Sequence, residues 1–263
     1  MAEKKEIQFR GAGFTYAPVS YIAPIVFIVL IAALEWGTRT EFISNLTLPR
    51  PSGVFEAFVE LYDTGLLFKH LGPSLSRLFI GSLLGITLGV AVGVMIALFN
   101  LARAGLLPLV AALFPVPKIA LLPLFVIWFG IDEGSKYALI ALGTFTPTVI
   151  ATYAAVDNVD RNLIRMGQSF GLTWFSIVRK IVLPGALPGI ISGLRISIAI
   201  GLILLVAAEM LGAEYGIGAY VLEAGSLYDL ERLFAGVTIL SFIGVMINWL
   251  SGIIERRVLS WRT

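Results

Sequence analysis

Six long apolar segments limit how this chain can fold. A helix needs about 20 predominantly apolar residues to cross roughly 30 Å of hydrocarbon. The segments run from Tyr21 to Trp36, Leu75 to Phe99, Leu106 to Phe129, Lys136 to Val156, Leu187 to Leu211 and Leu233 to Ile254. Lipid offers no hydrogen-bond partner to a peptide group, so such segments cross as helices. The sequence predicts an all-α integral membrane protein with about six transmembrane helices, in which residues 21–263 form one membrane domain.

The distribution of basic residues predicts the orientation of these helices. Loops rich in Lys and Arg stay in the cytoplasm. We therefore predict that the N-terminal segment, residues 1–20, is cytoplasmic. With this orientation the basic residues on the inner side are Lys4, Lys5, Arg10, Arg103, Arg161, Arg165, Arg179, Lys180, Arg256, Arg257 and Arg262. The outer side then carries fewer basic residues, namely Arg39, Arg50, Lys69, Arg77, Lys136 and Arg232.

The segment between the fourth and fifth spans, residues 157–186, forms an inner loop with the pattern of two short helices. Val159, Leu163, Met166 and Phe170 recur at helical spacing and give one apolar face. A polar face contains Asn162, Arg165 and Ser169. We expect Gly171 to end the first helix, Thr173 to cap the second and Pro184 to stop it.

Three of the charged residues inside predicted spans are candidates for a function, because a charge within the membrane is costly. Lys118 lies near the middle of the third span, Glu209 toward the outer end of the fifth, and Arg195 about two turns from that span's inner end. For Lys118 and Glu209, two interpretations remain open: a position on a translocation path, or a structural ion pair or snorkelling side chain. For Arg195, the sequence favours an ion pair or a snorkelling side chain over a position on the path.

Prolines and glycines distinguish two of the spans. The third is interrupted by Pro108, Pro115, Pro117 and Pro123, and it is therefore expected in the interior, where neighbouring groups can satisfy the freed carbonyls. The second span carries a small-residue stripe of Gly81, Gly85, Gly89 and Gly93. Such a stripe marks a helix–helix contact, either within one subunit or between subunits.

Few residues could support catalysis. The chain has no cysteine and one histidine, His70, for which a surface or helix-end role is expected. The acidic pair Asp132 and Glu133 is interpreted as a solvated turn. No Gly-x4-Gly-Lys-Ser/Thr loop is present, so no nucleotide site, catalytic residue or metal site is predicted in this chain. The net charge of +2, without a basic run interleaved with aromatic residues, argues against nucleic-acid binding.

The inner loop resembles the cytoplasmic signature of binding-protein-dependent ABC importer permeases, Glu-Ala-Ala-x3-Gly-x9-Ile-x-Leu-Pro. Gly171, Ile181, Leu183 and Pro184 are in register, whereas Arg165-Met166-Gly167 stands where the family has Glu-Ala-Ala. The resemblance runs from about Leu48 to the C-terminus. The segments 117–130 and 183–189 are similar to the branch that includes nitrate, aliphatic sulfonate and taurine permeases.

This resemblance implies a type I ABC importer transmembrane domain with a cytoplasmic coupling helix, in a bacterial inner membrane. Two permease subunits would pair, two cytoplasmic ATPases would bind ATP and Mg²⁺, and an external solute-binding protein would deliver a small anionic solute. Residues implied in coupling are Asn162, Arg165, Met166, Gly167, Phe170, Gly171, Ile181, Leu183 and Pro184. Residues assigned to the translocation path are Pro117, Lys118 and Glu209. The alternative is a stand-alone secondary transporter or channel, for which inverted repeats would be expected.

Overall fold

The computed structural model describes residues 21–260 as a bundle of helices. The predicted cytoplasmic segment, residues 1–20, lies outside the described residues. In chain order the helices are α1 (Ile22–Arg39), α2 (Pro51–Asp63), α3 (Leu66–Leu98), α4 (Asn100–Leu113), α5 (Leu122–Phe129), α6 (Glu133–Asp157), α7 (Arg161–Ser169), α8 (Trp174–Ile177), α9 (Leu183–Met210), α10 (Ile217–Ser226) and α11 (Leu230–Val258). A 3₁₀ turn (Lys118–Leu121) precedes α5, and a π-helical turn (Val178–Val182) joins α8 to α9.

The prediction of about six spans is confirmed, but the third is not one helix. Five continuous helical stretches among the described residues are long and apolar enough to cross a bilayer. The sixth candidate is α4 followed by Lys118–Phe129, and these two parts are bent by 92° relative to each other. Pro115 and Pro117 lie at the bend, where their missing N–H groups interrupt the helical hydrogen bonds.

The predicted stop at Pro184 is wrong. This residue lies in the first turn of α9, and the helix runs on continuously over residues 174–210. The backbone N–H of Leu183 bonds to the carbonyl of Val178, five residues earlier. A wider turn of this kind accommodates a proline, which would otherwise crowd the carbonyl four residues before it. The inner loop is therefore joined to the fifth span without a break.

The glycine stripe of α3 packs against α6 within the same chain. A Cβ atom added to any of the four glycines would lie 2.1 to 2.7 Å from the nearest α6 atom. The facing residues are Ile140, Thr144, Thr148 and Thr152. On its other side, α6 packs equally closely against α9, where Gly193 meets Ala151. α6 is thus the central helix of the bundle, held at close range by helices on two sides.

Replacing Gly85 by Ala should destabilise the bundle. The new Cβ would lie 2.1 Å from Thr144 Oγ1 and 2.2 Å from the Ala141 carbonyl oxygen, so α3 and α6 would have to move apart. Overpacking of this kind costs about 1–3 kcal/mol. The measurement is thermal unfolding of the detergent-solubilised protein. Gly105→Ala in α4, where a Cβ has no atom within 4 Å, is the matched control and should be neutral or slightly stabilising. Equal effects of both changes would contradict this packing account.

Candidate functional site

The first helix of the inner loop, α7, has well-formed ends. At its start the Asp160 carboxylate accepts a hydrogen bond from the backbone N–H of Asn162 at 2.8 Å. At its end Gly171 has a φ of +69°, in the left-handed region that favours glycine. The N–H of Leu172 bonds to the Gly167 carbonyl at 3.1 Å, which completes a Schellman cap. These caps hold α7 as a defined element in a loop that leaves the bundle.

Gly167 and Ile181 hold α7 against the helix that follows. Gly167 is buried, and a Cβ there would lie 2.8 Å from Ile181 Cδ1. Beyond the Gly171 turn, the side chain of Thr173 accepts a hydrogen bond from the backbone N–H of Ser176, as expected for a helix cap. α7 is therefore in direct contact with the start of the continuous helix 174–210.

Most of the apolar face of α7 points away from the bundle. Only Val159 of the predicted face is buried, and Leu183 at the start of α9 is 36% exposed. Large apolar side chains of the inner loop that are about half exposed or more form an inner patch, consisting of Leu163 (46%), Met166 (53%), Phe170 (79%), Trp174 (55%) and Phe175 (65%).

Sequence reasoning missed Trp174 and Phe175. The signal available was a pair of adjacent aromatic residues directly after a polar, glycine-containing turn. Asn162 and Arg165 are also exposed, so the inner patch has a polar border. An apolar centre with a polar rim is the usual anatomy of a protein–protein interface.

Pro117 and Lys118 lie at the bend between α4 and α5. The Lys118 ammonium donates a hydrogen bond to the Phe114 carbonyl at 2.5 Å and lies 5.4 Å from the centre of the Phe114 ring. That carbonyl is one that the end of the α4 helix leaves without a helical partner. The lysine side chain is half-buried and reaches the surface of this single chain at the break in the third span.

Glu209 lies in a buried ion pair at the outer end of the bundle. Its side chain is fully buried, and its carboxylate accepts hydrogen bonds from Arg77 at 2.8 Å, from Ser74 at 2.8 and 3.0 Å and from the backbone N–H of Gly218 at 2.8 Å. Arg77, itself 4% exposed, also donates to the Tyr215 carbonyl. Glu209 thus joins α9 to α3 and α10. Of the two interpretations that the sequence left open for it, a place on a translocation path or a structural ion pair, these contacts favour the ion pair. It does not touch Lys118.

For two more polar residues at this end, the sequence expectations were wrong at least in part. His70 is buried and not on the surface, but its helix-end role is confirmed: it lies in the second turn of α3, and its Nδ1 lies 3.0 Å from the carbonyl of Gly216, the residue that precedes α10. Glu133 is not a free turn residue, because its carboxylate accepts two hydrogen bonds from Arg77, at 2.6 and 2.7 Å. Residues 66–74, which include Lys69 and His70, are too polar to be recognised as part of a span from hydropathy alone. The sequence therefore places the start of the second span at Leu75, whereas the helix begins at Leu66.

Removing one partner of the buried pair should destabilise the outer end strongly. Arg77→Met leaves the Glu209 carboxylate buried without its counter-charge, which costs about 3–5 kcal/mol. Arg77→Met combined with Glu209→Met should recover part of this loss. Thermal unfolding measures both effects. The control is Arg232→Met, which removes an exposed pair with Glu60 at the same end and should cost less than about 1 kcal/mol. A loss from Arg77→Met no larger than that of the control would contradict the account.

Comparison with known proteins agrees with this architecture. The sequence model of the family described as binding-protein-dependent transport system inner membrane component matches residues 85–260. A Bacillus subtilis (strain 168) protein, named provisionally as an aliphatic sulfonates transport permease, is 36% identical over 234 residues, covering 89% of this chain and 85% of that protein. The taurine transport system permease protein of Escherichia coli (strain K12) is 34% identical over 240 residues, covering 89% and 87% of the two chains.

A solved structure has the same fold. A chain of the inward-facing MetNI methionine ABC transporter superposes with a TM-score of 0.65 at 22% identity, covering 74% of this chain and 97% of that one. The fold of this chain is thus that of a type I ABC importer transmembrane domain. This chain belongs to the family of inner-membrane components of binding-protein-dependent transport systems, the permease subunits of ABC importers.

Proposed function

We propose that this permease works as a pair of identical copies that moves a small anionic solute of the sulfonate or taurine type into the cytoplasm. Two cytoplasmic ATPases, which bind ATP and Mg²⁺, drive the pair, and an external solute-binding protein delivers the solute. The chain itself contributes no nucleotide chemistry. The observation that carries the proposal is the inner patch, an exposed apolar surface on a capped helix that is joined without a break to a membrane span.

The inner patch is suited to hold an ATPase. Exposed aromatic and Met side chains on a protein's aqueous surface are costly unless a partner covers them, and a few such side chains dominate most interfaces. Near the patch, Arg161, Arg165, Arg179 and Lys180 form no ion pair with any described residue. They leave positive charge around the patch, which favours a partner surface bearing carboxylates.

The choice of an anionic solute rests on two points. The named relatives include a sulfonate and a taurine permease, and both solutes carry a sulfonate group. The ammonium of Lys118 reaches the surface of the single chain at the broken span, where a second copy could complete a path. In a low-dielectric environment an ammonium attracts an anion strongly. Glu209 is not part of this path, because Arg77 and Ser74 already occupy its carboxylate.

Met166→Asp together with Gly171→Val should release the ATPase. The aspartate places a charge in the inner patch, and valine is strained at the φ of Gly171. Loss of an anchor costs about 2 kcal/mol or more, so affinity should fall at least about thirtyfold. The measurement is co-purification with the ATPase and solute-stimulated ATP hydrolysis. Val258→Asp, at the inner end of α11 and outside the patch, should leave both unchanged. An intact, stimulated complex in the double variant would refute the proposal.

Lys118→Met should weaken uptake without disturbing assembly. A hydrogen bond to a charged group is worth about 1.5–3 kcal/mol, so uptake at limiting solute should fall roughly tenfold or more. Lys118→Arg should keep much of the activity because it keeps the charge. Uptake of labelled sulfonate into proteoliposomes that contain the complete transporter measures the effect. Equal uptake by Lys118→Met and the unmodified protein would remove Lys118 from the path.

A further inference from the structure

A cleft opens between the middle of α9 and the inner end of α11. It has a volume of about 740 Å³, and the residues that line it include Arg195, Asn248, Trp249, Gly252 and Arg256. The inner patch lies elsewhere, on α7 and at the start of the continuous helix 174–210, well before Arg195 along that helix. A Cβ at Gly252 would lie 3.7 Å from the Arg195 guanidinium, an ordinary contact distance, so a longer side chain at this position would extend into the cleft.

The cleft carries more positive than negative charge. One terminal nitrogen of Arg195 donates to Glu255 at 2.6 Å, while its Nε is buried without a hydrogen-bond partner among the described residues. Arg256 is exposed and forms no ion pair with any residue that the structure describes. The cleft therefore holds two arginines and one carboxylate, which pairs with Arg195 alone, so guanidinium donors remain that no described acceptor meets.

The cleft lies at the level where α11 leaves the hydrocarbon. From Arg232 at the outer end of α11 to Glu255 at the inner end is about 35 Å at 1.5 Å per residue, close to the thickness of the apolar core. Trp249 is 64% exposed, less than two turns before Glu255. Exposed Trp beside Arg is typical of the headgroup region of a membrane.

We propose that this cleft binds an anionic phospholipid of the inner leaflet. The phosphate would lie between Arg195 and Arg256, and an acyl chain would lie along Trp249 and Ile253. A basic pocket between transmembrane helices on the cytoplasmic side suits such a headgroup. The cleft combines cationic and apolar walls at membrane depth, which favours a lipid over a soluble phosphate. The bound lipid would brace the middle of α9 against the inner end of α11.

The test uses the protein reconstituted in lipid vesicles and measures the fluorescence of Trp249. Phosphatidylglycerol and phosphatidylcholine with brominated chains are compared as quenchers of tryptophan fluorescence, and the Trp249→Phe variant identifies the contribution of this residue. We expect phosphatidylglycerol to be favoured at Trp249 by about fivefold, the effect of one basic residue near an anionic surface. Arg256→Gln and Gly252→Leu should each abolish the preference. Gly252→Leu fills the cleft without removing either arginine, and Arg256→Gln removes a side chain that is not part of the pair between Arg195 and Glu255.

Arg257→Gln is the matched control. It removes the same charge one residue further along, from a side chain that is exposed and does not line the cleft, and should keep the preference. Equal losses in Arg256→Gln and Arg257→Gln would mean diffuse surface attraction and would overturn the proposal. A preference that survives Gly252→Leu, or that inorganic phosphate abolishes by competition, would also overturn it.

Discussion

The buried ion pair between Arg77 and Glu209 fixes the outer end of this bundle. The arginine comes from α3 and the carboxylate from the last turn of α9, and Ser74 and the backbone of α10 complete the hydrogen bonds. Buried charges are tolerated only when their partners are complete, so these helices must keep their mutual positions or lose several hydrogen bonds together. The pair is thus a fixed point against which the rest of the fold can be described.

From this fixed point, one helix leads to the opposite side of the membrane. Residues 174–210 form a continuous helix whose outer end carries Glu209 and whose inner end carries Trp174 of the inner patch. α6 packs closely against both α3 and α9, and at these contacts the glycine backbones touch side chains without any gap. The helix 174–210 therefore cannot bend independently of its neighbours. A push on the inner patch is therefore expected to move the helix as a body. Movement of the helix as one body is the mechanical requirement for a permease that is driven by a separate ATPase subunit in the cytoplasm.

The sequence predicts the outline of this arrangement better than its polar details. Apolar length identifies the membrane helices, because the bilayer sets one requirement for all of them. The spacing around Gly171 predicts the inner loop, because only a few residues suit a left-handed helix end. The outer start of α3 could not be found in this way, since Lys69 and His70 look like loop residues and Arg77 like the polar edge of a span. The partners that bury His70 and Arg77 come from α6, α9 and the start of α10. The π-helical turn before Pro184 is likewise invisible in a pattern that treats proline as a stop.

The two candidate path residues illustrate the same limit. The sequence supports the same two interpretations for Lys118 and for Glu209, because each is a charged residue in an apolar span. Only tertiary contacts separate them: one carboxylate is enclosed by donors, whereas the lysine meets a single carbonyl at a helix break.

The central claim is that the inner patch is the surface on which the ATPase docks. The chain contains no cysteine, so a single Phe170→Cys change provides a unique cross-linking position. In inner-membrane vesicles that carry the complete transporter, a short thiol cross-linker should join this cysteine to the ATPase, whereas Val258→Cys should give no such product. Cross-linking from Val258→Cys but not from Phe170→Cys, or a cysteine at position 170 that reacts only with reagents outside the cell, would contradict the account.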